Sequence, residues 1–238
     1  MINEIFLSVQ GESSLAGLPC IFIRLTGCGL RCSYCDTAYA FNEGITMPRT
    51  AVLARVGELA GPFLKYPCLV RLPLVELTGG EPLLQKGSLP LMKTLCDTGF
   101  NVLLETSGAL DIGAVDPRVR RIMDLKCPSS GESDRNYWPN LEQLKKSDEV
   151  KFVIASRQDY QWAKEQVAAH NLAARCPVLF SWASPPPPGG QAQLKEVPQG
   201  HVLMSERELP EQMLADALPV RLQWQMHKRI WPAEQRGV

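Results

Sequence analysis

Short apolar runs rich in β-branched residues recur along the chain. The first reads CIFIRL at residues 20–25, which predicts a buried strand carrying a single charge, Arg24. Runs of the same kind at 69–77, 101–104, 121–125, 150–154 and 177–180 predict five more strands. Between them, apolar positions fall at helical spacing. Residues 50–59 form such a stretch and stop at Gly61 and Pro62; residues 89–97 stop before Gly99; residues 158–170 are amphipathic and Ala-rich. Six strands alternating with helices predict a parallel α/β sheet. Residues 29–46 break the pattern as a long loop after the first strand, and SPPPPGG at 184–190 reads as a stiff polyproline-type linker. With no internal repeat, a single domain over 1–238 is expected. Its core would span about 18–183, followed by the linker and a closing segment over 191–238. Residues 220–231 there are expected to add an edge strand or closing element.

Composition adds boundaries rather than identity. A chain of 238 residues, 45% hydrophobic and 21% charged, has enough apolar material for a core without disulfide staples. Lys plus Arg equals Asp plus Glu at 25 each, which argues against nucleic acid as a direct partner. No apolar run approaches the ~20 residues that span a bilayer. The first residues carry no basic or long apolar leader, so a cytoplasmic protein without a membrane partner is expected. In such a compartment the eight cysteines are expected to be free thiols. Cys20, Cys68, Cys96, Cys127 and Cys176 stand singly, mostly in apolar segments, and read as small buried hydrophobes, least clearly for Cys127.

The other three are crowded. Cys28, Cys32 and Cys35 form the pattern C-x3-C-x2-C in the long loop. Three thiolates on one flexible loop can hold three corners of a cubane iron–sulfur cluster and leave the fourth iron open to another ligand. Structural zinc is the alternative, but it takes four tetrahedral ligands, and the first histidine of the chain is His170. LTGGEP at 77–82 follows the second predicted strand; paired glycines there let the backbone approach a ligand. ETSG at 105–108 and DLK at 124–126 end the third and fourth strands. Polar residues at successive strand ends are where α/β barrels place their sites.

A C-x3-C-x2-C loop after the first strand, with GGE one strand later, resembles the radical S-adenosylmethionine (SAM) superfamily. The resemblance implies a partial (β/α)6 TIM-like barrel and a [4Fe–4S] cluster on Cys28, Cys32 and Cys35. In that superfamily the open iron is chelated by SAM, and the reduced cluster cleaves it to a 5′-deoxyadenosyl radical. FLSVQGE at 6–12, Arg24, Asp36 and Thr37 after the last cysteine, and QMHK at 225–228 with Trp231 narrow the match. In identity and spacing, over about residues 3–231, they resemble the 7-carboxy-7-deazaguanine synthases. That likeness implies ring contraction of 6-carboxytetrahydropterin with loss of ammonia, in queuosine and deazapurine biosynthesis. It implies SAM contacts from Tyr34, Cys35, Asp36, Gly80, Glu81, Ser107, Asp124, Leu125 and Lys126, with Ser181 on the adenine side. It further implies substrate contacts from Val9, Gln10, Gly11, Glu12, Arg24, Thr78 and His227, and Mg2+ on Thr37. A homodimer and a flavodoxin-type electron donor are typical of the family. Two other readings stand beside it: a glycyl-radical-activating enzyme, which shares the cysteine loop and GGE, and a non-enzymatic iron–sulfur or zinc module.

Overall fold

The computed structural model describes residues 1–65, 72–185, 191–232 and 235–238. Eight strands form one sheet in consecutive order. They are β1 (Ile2–Val9), β2 (Pro19–Leu25), β3 (Leu74–Gly79), β4 (Val102–Thr106), β5 (Arg120–Asp124), β6 (Glu149–Ile154), β7 (Val178–Trp182) and β8 (Arg221–Gln223). β1 pairs antiparallel with β2, and every later pairing is parallel. Strand order that never reverses is the order of a barrel arc, not of a doubly wound sheet. The expected partial TIM-like barrel is therefore what the chain forms.

All six predicted strands are present. The long second run, 69–77, is shorter as built: β3 starts at Leu74, and residues 66–71, which include Cys68, lie outside the described residues. The helices match closely, as α1 (Arg49–Ala60), α2 (Ser88–Asp97) and α3 (Arg157–Ala169). A short α4 (Leu172–Arg175) follows α3. No α-helix separates β4 from β5 or β5 from β6; 3-10 turns and loops span those gaps. β1 was not foreseen. Its residues are nearly all half-buried, so no sharp alternation announces it, and β2 supplies its ladder. Beyond the linker come α5 (Glu208–Ala215), β8 as the expected edge strand, and α6 (His227–Ile230). Linker residues 186–190 lie outside the described residues.

Side chains alternate across the sheet, as strands require. Ile21, Ile23, Val75, Leu77, Leu104 and Phe152 belong to the large outer core with Val56 of α1, Met92 and Leu95 of α2 and Ala163 of α3. Each fully buried Leu or Ile contributes about 1.5–3 kcal/mol of transfer free energy. The opposite face has only a small apolar cluster, Cys20, Leu74, Leu103 and Ile122, near the strand starts. Past that plug the inner face turns polar. Among the described residues no helix is long and apolar enough to cross a membrane.

Candidate active site

Two or four residues beyond the plug positions, and on β6 and β7 as well, the inner strand faces present polar groups to one cavity of about 580 Å³. β2 offers Arg24, β3 Glu76 and Thr78, β4 Glu105, β5 Asp124, β6 Lys151 and β7 Ser181. The period of two that builds the outer core therefore also lines the inner space.

One wall is the cysteine loop. Cys28, Cys32 and Cys35 all border the cavity as free thiols. Burial pushes the Cys32 thiol up to about 12 and raises Cys28 and Cys35 above their ordinary value, with the Lys126 ammonium partly opposing all three shifts. Among the described residues, no three His, Cys, Asp or Glu side chains gather closely enough to hold one ion. Nearby polar atoms await a partner. The Tyr34 hydroxyl and Asp124 Oδ1 are buried with no hydrogen bond among the described residues. Asp124 Oδ2 is held by Lys126 Nζ at 2.7 Å. A ligand bearing amino and hydroxyl groups would satisfy Asp124, because buried polar atoms are rarely left unpaired. Gly80 closes this wall: a Cβ there would lie 2.1 Å from the Gly27 carbonyl oxygen. These residues fit a cluster with SAM beside it.

The other wall is a charge network. Lys151 Nζ lies 2.8 Å from Glu12 Oε2 and also contacts Glu105. Burial works against ionising Glu12, yet Lys151 wins and holds its carboxyl below the usual range. Glu76 goes the other way: burial, reinforced by Glu105, drives it well above the usual carboxylate range and favours the protonated form. Gln10 is 2% exposed. Its Nε2 donates to Glu76 and its Oε1 accepts the Glu12 N–H at 3.0 Å. Its side chain thus orients the loop, leaving recognition to its neighbours. Arg24 arrives paired with Glu4 at 2.7 Å, and Tyr39 donates to the same carboxylate at 2.8 Å.

The chain's last described elements complete this wall. Gln225 Nε2 donates to Glu12 at 3.0 Å and to Asp36 at 2.8 Å. Lys228 pairs with Asp36 at 2.6 Å, and although burial opposes it, this ammonium holds Asp36 well below the usual carboxylate range. Burial lowers the His227 imidazole, against the pull of Glu12 and Asp36, so it is neutral near pH 7. A Cβ on Gly11 would strike His227 Nδ1 at 2.4 Å, so this position needs glycine for the histidine to reach the cavity. Thr37 Oγ1 donates to Asp36 Oδ1 at 3.1 Å.

Nearly every residue singled out in the sequence borders this one cavity: Val9, Gly11, Glu12, Tyr34, Asp36, Thr37, Thr78, Gly80, Ser107, Lys126, Ser181 and His227 do, with those above. Two do not. Glu81 points between strand ends, accepting from Leu83 N–H at 2.9 Å, Thr106 Oγ1 at 3.0 Å and Ser107 N–H at 2.7 Å. Leu125 belongs to the outer core. Sequence reasoning missed Lys151, Glu76 and Gln225. For Glu76 and Lys151 a signal existed: Glu76 is the one charge in LVELTG, and Lys151 is a charge inside the apolar run VKFVI.

No family model matches the chain. It is 44% identical over 240 residues to the 7-carboxy-7-deazaguanine synthase of Chlorobaculum tepidum, covering 100% of this chain and 96% of that one. It is 42% identical to the synthase of the same name from Koribacter versatilis, covering 100% and 99%. The crystal structure of QueE from Escherichia coli superposes with a TM-score of 0.67 at 23% identity, covering 95% of this chain and 93% of that one; it has the same fold. The relatives set aside the glycyl-radical-activating and zinc-module readings. On identity and coverage alike, the chain belongs to the 7-carboxy-7-deazaguanine synthase family of radical SAM enzymes.

Proposed function

We propose that this chain contracts the ring of 6-carboxytetrahydropterin to 7-carboxy-7-deazaguanine with loss of ammonia, for queuosine and related deazapurines. The observation that carries the reading is the single cavity in which the cysteine loop faces the network of Glu12, Lys151 and His227. When bound, a [4Fe–4S] cluster with SAM supplies one-electron homolysis and a hydrogen-abstracting radical. Cys28, Cys32 and Cys35 would hold the cluster, while Tyr34, Gly80, Ser107, Asp124, Lys126 and Ser181 would border SAM, with Asp36 where the two walls meet. Asp124 Oδ1, which has no partner among the described residues, would accept a hydrogen bond there. On the facing wall, the backbone of Val9 and Gly11, held in place by Gln10, pairs with the pterin's donor–acceptor edge. Arg24 and Thr78 fix the substrate, with Arg24 reaching a carboxylate in a bidentate fork. Glu12 stays ionised through Lys151 and accepts from ring N–H groups, and His227 contacts the substrate as a neutral imidazole.

Thr37 would supply a hard oxygen to Mg2+, whose charge would help orient a substrate carboxylate. The protein acts as a single-domain cytoplasmic homodimer reduced by a flavodoxin-type donor. Anaerobic reconstitution with iron and sulfide, followed by product analysis with SAM, reductant, Mg2+ and the tetrahydropterin, tests the reaction. The deazaguanine is expected; deoxyadenosine without it points to another substrate. Thr37→Ala should raise the Mg2+ concentration for half-maximal activity by about tenfold with the cluster spectrum intact. An unchanged Mg2+ response removes Thr37 from the site.

A further inference from the structure

The residues on either side of Cys32 are tied down by groups that do not border the cavity. The Arg31 N–H donates to Glu132 Oε1 at 2.7 Å. The Ser33 N–H donates to the Ser130 carbonyl at 3.1 Å. From the segment beyond the linker, the Lys195 N–H donates to the Arg31 carbonyl at 2.8 Å. The Lys195 ammonium pairs with Glu132 Oε2 at 3.0 Å. One carboxylate, with its side chain 4% exposed, thus joins the cysteine loop through one oxygen and Lys195 through the other.

The turn carrying Glu132 is itself fixed. The Ser130 hydroxyl donates to the Cys127 carbonyl at 2.6 Å, and the Ser129 N–H donates to Asp159 at 2.7 Å. His201, also beyond the linker, shares a hydrogen bond with the Ser129 hydroxyl at 2.7 Å. Gly131 adopts φ +70°, and a Cβ there would lie 2.8 Å from Lys195 Cδ, so the lysine stem lies flat on this turn. An irregular loop has no ladder of its own, and its backbone groups must find partners elsewhere. Here they find a charge-assisted carboxylate, among the stronger hydrogen-bond acceptors.

We propose that Glu132 and Lys195 form a positioning brace that fixes the direction of the Cys32 thiolate and so governs how long the cluster is retained. The inference rests on the cluster reading above. Groups that orient metal ligands typically change metal retention by about 10–100-fold when removed. The test is anaerobic iron release from the reconstituted full chain to a ferrous chelator, with the melting temperature of the iron-free protein measured in parallel. Glu132→Ala should release iron at least about tenfold faster than wild type. Glu132→Gln, which keeps an acceptor for the Arg31 N–H, should recover part of that loss. Lys195 is half exposed, so Lys195→Ala folds normally and should release iron a few-fold faster with an unchanged iron-free melting temperature. Wild-type release rates in Glu132→Ala and Lys195→Ala overturn the brace. A wild-type protein that builds no cubane overturns the cluster reading itself, and the brace with it.

Discussion

On one side of the cavity, Lys151 sits between Glu12 and Glu105, and Gln225 and Lys228 secure Asp36. On the other, the Tyr34 hydroxyl and one oxygen of Asp124 have no partner among the described residues, and the three thiols are kept protonated by burial. The first wall is electrically complete in the bare protein. The second is complete only when something occupies it. Binding there requires the thiols to lose their protons, so loading is coupled to proton release and favoured by rising pH. Substitutions on the two walls should therefore leave different signatures: loss of loading on the cysteine side, loss of folding stability on the charged side.

The largest effect is expected for Cys32→Ser. It removes one cluster corner and should abolish SAM cleavage, while the iron-free protein melts close to wild type. Four irons per chain with normal SAM cleavage in this variant would show that Cys32 is no ligand. Next is Lys151→Met, which leaves two half-buried carboxylates without their counter-charge. Breaking one partner of a buried pair costs about 3–5 kcal/mol, read as a lowered urea midpoint. The cluster absorbance of reconstituted protein should be retained, which separates this wall from the other. An unaltered midpoint would mean that the network is not needed for folding.

The smallest effect concerns Glu76. Its carboxyl is raised well above 4.5 in the folded state, chiefly by burial. The folded protein therefore holds this proton more tightly than the unfolded chain does. The resulting stabilisation is full below pH 4.5 and is lost as pH rises through the elevated folded value. Glu76→Gln removes that dependence, so wild type should lose stability relative to the variant as pH rises above 4.5, as followed by urea unfolding at several pH values. A difference that stays constant with pH would mean that Glu76 is not the titrating group.

What the sequence made legible follows from range. The cysteine loop is a local pattern, so C-x3-C-x2-C could be read without any fold. Arg24 was visible because a lone charge inside CIFIRL has no apolar reason to be there. The same logic applied to Glu76 in LVELTG and Lys151 in EVKFVI, yet each gains meaning only from partners on other strands, which no short window contains. Gln10 looked like a recognition group, and only the folded chain shows its amide spent on Glu76 and the Glu12 N–H. Glu81 was placed on SAM by its motif, whereas its carboxylate fastens the end of β3 to Thr106 and Ser107 at the end of β4. β1 escaped notice because a half-buried edge strand carries little alternation.

The close approach at Gly80 limits how the protein can be recombined. The Gly80 N–H donates to the Leu25 carbonyl at 3.1 Å, and the Glu81 N–H to the Gly27 carbonyl at 2.8 Å. No room exists at Gly80 for even a methyl group. The start of the cysteine loop and the end of β3 are thus one moulded joint made from two distant stretches of chain. A chimera between relatives that takes residues 25–36 from one parent must take 78–82 from the same parent, and crossover points are safest outside both.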